Sequence, residues 1–188
     1  MPGKSPEEAI DTFTGFISET LSCVTRDCLV GFQESGRRHK IFFSDPAAVR
    51  SAAGQTFYLS IVQTFTIKKR DDGPYKVHTL QYSYVFNDDP QPTNKGLISY
   101  HWHPDDFNLR EPHLHLHITP EVGYPEIERR IAKAHFPTSR VCLEDFVILL
   151  IKYYDITPTM DEARWTRILK RNRAAFSKMA TWFVKPPN

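Results

Sequence analysis

Residues 97–119 read LISYHWHPDDFNLREPHLHLHIT and hold five of the chain's eight histidines. His101 and His103 flank Trp102, while His113, His115 and His117 alternate with Leu114 and Leu116. Imidazole is the side chain that changes charge near neutral pH, so it can take a proton, give one, or ligate a metal. Side chains alternate between the two faces of a strand. The even positions Ile98, Tyr100, Trp102, Leu114, Leu116 and Ile118 are apolar, and the odd positions carry Leu97, Ser99 and all five histidines of the window. An antiparallel hairpin through the loop 104–112 therefore predicts all the imidazoles on one face, presented away from the apolar core. It sets His103 opposite His113 and His101 opposite His115, with opposed Cβ atoms about 4.5–5.5 Å apart.

Three readings suit such a patch. In the first, neighbouring histidines divide the roles of general base and general acid, as cleavage of RNA through its own 2′-hydroxyl requires. The candidate catalytic residues are then His101, His103, His113 and His115. Arg110, or Arg37 and Arg38 of the RRHK run at 37–40, would supply a cation for the phosphate, with His117 at the rim. Gln81 and Ser83 share the polar side of a neighbouring strand pattern and could bond substrate or orient a ring. In the second, His101, His103, His113 and His115 hold a divalent metal, Zn²⁺ foremost and Fe²⁺ or Ni²⁺ as alternatives. Asp105, Asp106 or Glu111 would be a further ligand or a bonding partner of one. The third needs no cofactor: a docking module without chemistry, whose histidines sense pH.

Two narrower patterns share these residues. HLHLHIT is similar to the histidine-triad motif of nucleotide hydrolases and transferases, which would make His115 a nucleophile. Thr119 stands where that motif has a hydrophobic residue, and some 70 residues follow it here. His113-Leu114-His115 with Tyr153 or Tyr154 also resembles the histidine pair and helical tyrosine of single-strand nickases. The simpler reading of the two tyrosines is amphipathic core at a helix end.

The elements that must position the histidines follow from periodicity. Ser5, Pro6 and Glu8 form a helix start, and Ile10, Phe13, Ile17 and Leu21 make one apolar stripe, which predicts a helix over 5–25. A β block spans 28–119. It opens with a hairpin turning at Ser35-Gly36, then a short helix in DPAAVRSAA capped by Ser44 or Asp45. Two long alternating strands follow, at TFYLSIVQTFTIKK and YKVHTLQYSYVF, and then the histidine hairpin. His78 falls with the aromatic side of its strand. Helices occupy 139–184. The apolar VCLEDFVILLIKYY is one, Pro158 breaks it, and Thr159 with Glu162 forms a second capping box. The last helix buries Trp165, Ile168, Leu169, Phe176, Met179 and Phe183. Its Lys and Arg residues (Arg164, Arg167, Lys170, Arg171, Arg173 and Lys178) spread around it as a solvated face. Helix, strands, helices in that order predict a single α+β domain, an antiparallel sheet packed against N- and C-terminal helices.

The chain has 188 residues with a net charge of +2, so any case for an anionic partner must be a local one. Its three cysteines, Cys23, Cys28 and Cys142, have no metal-finger spacing and read as free thiols of a reducing compartment. No apolar run approaches a membrane span, and MPGKSPEEAI lacks a signal-peptide pattern, which points to the cytoplasm.

The segments YHWHPDD…REPHLHLH and AHFPTSRVCLEDFVILLIKYYDI resemble a family of small bacterial proteins that carry YHWHP and PHLH segments and a HLPTGRV-like run before a short helix. This resemblance covers residues 97–155 and implies no particular activity. About 20 residues are also distantly similar to TumE-type toxins, although His113 and His115 do not fall at that toxin's Pro-His-x-x-His spacing. The toxin resemblance implies RNA cleavage or translation arrest, held in check by a partner antitoxin. The expectation is thus a cytoplasmic, histidine-dependent enzyme acting on phosphodiester or nucleotide substrates, a ribonuclease-like toxin. A metal-binding protein and a non-catalytic binding module are the alternatives.

Overall fold

The structure is a computed structural model that describes residues 2–33, 38–69, 71, 73–91, 97–104, 111–116, 134 and 136–179. Helix α1 (Pro6–Leu21) starts as its sequence dictates. The Glu8 N–H donates to Ser5 Oγ at 3.2 Å. The Glu8 carboxylate reaches back one residue further than a capping box requires, accepting from the Lys4 N–H at 2.7 Å. The helix ends at Leu21, short of the predicted residue 25, because the chain turns through Ser22–Val24 with the Val24 N–H donating to the Leu21 carbonyl.

Among the described residues nine strands follow or flank it: β1 (Pro2–Gly3), β2 (Val30–Gln33), β3 (Arg38–Phe42), β4 (Ala47–Arg50), β5 (Thr56–Lys69), β6 (Tyr75–Asn87), β7 (Ile98–Trp102), β8 (His113–Leu116) and β9 (Phe136–Pro137). They form one antiparallel sheet in the order β2-β3-β5-β6-β7-β8-β9, with β1 on β6 and β4 on β5. β2 and β3 are the expected hairpin, and its turn lies outside the described residues. DPAAVRSAA is not the helix expected. Ala47 and Val49 are buried while Ala48 and Arg50 are exposed, a period of two. That alternation lets β4 extend the sheet by pairing with β5 at residues 56–59, where β3 has already ended.

The long β5–β6 hairpin has a bulge. Thr64 pairs with Gln81 and Phe65 with Thr79, so Leu80 is the extra residue. The bulge reverses the parity of β6 before it. His78 consequently leaves the aromatic side predicted for it, pairs with Thr66 and is exposed. One face of the sheet carries Leu59, Ile61, Phe65, Tyr82, Tyr84, Phe86 and Ile98, all buried. Helices α1 and α2 (Leu143–Tyr153) pack on that face, and α3 (Glu162–Met179) packs on both of them, completing a single α+β domain. The cap of α3 is Asp161, whose carboxylate accepts from the Arg164 N–H at 2.9 Å. Thr159, the expected cap, instead donates its hydroxyl to the Ser22 carbonyl.

A polar network pins the three helices together. Thr20 Oγ1 donates to the buried Glu144 Oε1 at 3.0 Å and accepts from Asn172 Nδ2 at 3.1 Å. Burial raises the Glu144 carboxyl above its ordinary range. The folded chain therefore holds that proton more tightly than the unfolded chain does. Stability from this group is greatest below the unfolded pKa and falls as pH rises through the raised folded value. Glu144→Gln keeps an acceptor for Thr20 and removes the charge. It should melt higher than the wild type at pH 7, each kcal/mol gained reading as about 2–4 °C in a chain of this size. The advantage should vanish near pH 4, and melting curves at both pH values check it.

Candidate functional site

The histidine strands lie toward one end of the sheet's order: β7 lies between β6 and β8, and β9 pairs with the first two residues of β8. The predicted parity holds. Ile98, Tyr100, Trp102, Leu114 and Leu116 join the helix-covered core, and the odd positions take the other face. The predicted register does not. His101 pairs with His113, and Ser99 with His115. A slip of two residues keeps every side chain on its face, so the hydrophobic pattern that sets the face cannot choose between the registers. The observed one brings Ile98 opposite Leu116 and Tyr100 opposite Leu114 on the core side.

Four imidazoles come together there. Ring centroids lie 5.9 Å apart for His101–His113, 5.2 Å for His101–His115 and 4.9 Å for His113–His115. His103 stacks on His101 at 5.5 Å and lies 6.5 Å from His113. They do not form the openly presented patch expected from the pattern. His113 is only 4% exposed and the other three are half-buried. The cluster is recessed, which strengthens any electrostatic interaction made within it. His113 Nδ1 lies 2.9 Å from the Glu111 carbonyl oxygen. A carbonyl only accepts, so Nδ1 carries the hydrogen and the lone pair of the neutral ring sits on Nε2.

Of the further candidates, Ser83 pairs directly with His101 across β6 and β7, making one row Ser83–His101–His113 over three strands. Gln81 is on the same face, and its amide donates to Thr64 Oγ1 at 3.1 Å. Arg38 shares that face through its pairing with Thr66, but β3 is three strands from β7, about 14 Å at the usual strand spacing. Arg37, Asp105, Asp106, Arg110 and His117 lie outside the described residues. Among the described residues no three His, Cys, Asp or Glu side chains are placed to hold a metal ion.

Two further residues border the cluster without a motif to mark them. Ser99 is 1% exposed, and its hydroxyl, on the histidine face opposite His115, has no hydrogen-bond partner. It occupied an odd position of the alternating pattern, and that position was its signal. Arg140 lies on the core side, its guanidinium 4.6 Å from the Trp102 ring, 5.6 Å from Tyr82 and 5.7 Å from Phe176. Burial lowers its pKa to about 10, and it remains a cation at neutral pH. It grips the core side of the residue between His101 and His103, a contact between segments far apart in sequence.

The tyrosine of the nickase pattern is not brought to the histidines. Tyr154 meets Phe86 edge-on at 5.0 Å between centroids, on the opposite side of the sheet. Tyr153, read from sequence as core, is 79% exposed on α2, which packs on that same opposite side. No protein-family model, curated protein or solved structure matches the chain. Among the described residues no helix is long and apolar enough to cross a membrane.

Proposed function

We propose that the chain cleaves RNA by histidine acid–base catalysis, as a cytoplasmic toxin-like ribonuclease restrained by a protein antitoxin. The observation that carries this reading is the meeting of four imidazoles, from β7, the residue that follows it and β8, at centroid distances of 4.9–6.5 Å. Two adjacent imidazoles can divide the work, one taking a proton while the other gives one. One neutral and one protonated ring is the pair the reaction needs. The neutral ring takes the 2′-hydroxyl proton as that oxygen attacks phosphorus. The protonated ring gives its proton to the departing 5′-oxygen, leaving a 2′,3′-cyclic phosphate and a 5′-hydroxyl. His113 suits the base, since the Glu111 carbonyl fixes its tautomer and ring orientation. His115, adjacent and half-buried, suits the acid. Ser83 and Ser99 would bond the phosphoryl oxygens from the floor of the site.

The same imidazoles would serve a zinc hydrolase only if the rings re-aimed or a ligand such as Asp105 or His117 joined them. The two readings separate on chelation. Cleavage of a single-stranded oligonucleotide, followed by mass spectrometry of its ends, should give cyclic-phosphate termini at an unchanged rate in excess EDTA. A loss of about 10-fold or more in EDTA, restored by Zn²⁺, would transfer the site to the metal reading.

A further inference from the structure

The strands β1–β9 contain no aspartate or glutamate, although the chain has 22 acidic residues. Following the pairing outward from the histidines shows what replaces them. Val62 pairs with Ser83, which places the even-numbered residues of β5 on the histidine face. Lys68 therefore shares that face and lies directly opposite Lys76. One row nearer the site, Thr66 pairs with both Arg38 and His78, and in the next Lys40 pairs with Thr64. Directly opposed like charges destabilise a strand pair, so the Lys68–Lys76 pairing works against the fold. His78, on the same face, has its pKa lowered by partial desolvation of its ring first, then by the charges of Lys68, Arg140 and Lys76.

We propose that this face is a track for single-stranded RNA, leading from the Lys68–Lys76 end of the β5–β6 hairpin past Arg38 and Lys40 to the imidazoles. The inference rests on the ribonuclease reading for the identity of the polymer, and on register and charge for the track itself. Lys68 to Val62, beside the Ser83–His101 row, is six residues of strand, about 20 Å. That length accommodates about six nucleotides of a stacked strand at roughly 3.4 Å each. The strands of the face carry Lys68, Lys76, Arg38 and Lys40 and no carboxylate, which complements a continuous run of phosphates. A single strand fits better than a duplex, since only unpaired nucleotides can lay one backbone along the face and feed one scissile bond into a recessed cluster.

The test measures binding with cleavage disabled. Full-length His115→Ala protein, with and without Lys68→Ala/Lys76→Ala, is titrated with a fluorescent 12-nucleotide single-stranded RNA across a range of salt. Removing the two lysines relieves a repulsion, so the fold should persist, as circular dichroism would verify. Affinity should fall about 10-fold or more, and the slope of log K against log salt should flatten by about 1.4 for two lost phosphate contacts. An unchanged affinity and slope would overturn the track, as would equal binding of a duplex of the same length or of polyglutamate. Lysine-dependent binding by a wild-type protein that cuts no RNA would leave the track standing and sink the catalytic reading alone. RNA cleavage with lysine-independent binding would do the reverse.

Discussion

His115→Ala is expected to lower RNA cleavage by about 10²–10⁴-fold, the usual contribution of a positioned acid or base, with little change in melting temperature. Its ring meets both His101 at 5.2 Å and His113 at 4.9 Å, so its removal breaks more of the cluster than loss of the outlying His103 would. Its backbone pairs with Ser99, and β8 holds to the core through Leu114 and Leu116, neither of which the substitution touches. A half-buried imidazole on the face away from that core contributes little packing. The pH profile separates a catalytic from a structural effect. A wild-type bell should lose one limb in the variant, because one of its two titrating groups has gone, whereas a merely loosened site would lower the whole curve without reshaping it. Near-wild-type cleavage by a folded His115→Ala protein would end the acid–base reading.

Much of this site was legible because its decisive property is parity. Alternation in 97–103 and 113–117 places the histidines on one face whatever the register, and the leucines, Tyr100 and Trp102 on the other. Registers two residues apart were not distinguishable, since both satisfy the same pattern. The depth of the cluster depends on what surrounds it in space, so His113 at 4% exposure could not be read from its apolar neighbours. The same limit explains β4: in DPAAVRSAA the small residues and the serine and aspartate ahead of them satisfy a helix start, and only the open edge of β5 decides for a strand. His78 was misplaced by one bulged residue, Leu80, which no local propensity marks. The Lys68–Lys76 pairing likewise exists only once β5 and β6 are aligned. The helical parts were easier, because Ser5 and Glu8 specify a helix start by local bonds, and the stripe of α1 and the first turns of α3, with Trp165, Ile168 and Leu169, mark their buried sides, while the side chains of Met179 and Phe183 lie outside the described residues.

Phe146→Ala is expected to cost about 3–5 kcal/mol, a large part of the roughly 5–15 kcal/mol that holds a domain of this kind together. The ring is fully buried in α2, with Tyr84 5.7 Å away and Tyr100 meeting it edge-on at 5.8 Å, between centroids. Those tyrosines are cross-strand partners on β6 and β7. One side chain thus joins the helix layer to the two strands that carry Ser83 and His101 on their other face. Truncation removes the apolar contact and leaves a cavity between a helix and a sheet, neither of which can collapse without breaking its own hydrogen bonds. Tyr84 makes relief harder still, since its hydroxyl is held at 2.6 Å by Gln63 Nε2 and the ring cannot swing into the space. Urea denaturation should show a lower midpoint with an unchanged slope, the sign of lost stability without a changed unfolded state. Activity of the folded fraction should fall as well, because the row Ser83–His101–His113 is level only while β6 and β7 are held flat against α2. A cost below about 1 kcal/mol would mean that α2 is not what holds those strands in place. The two variants should fail in opposite orders: His115→Ala loses rate before stability, and Phe146→Ala loses stability before rate.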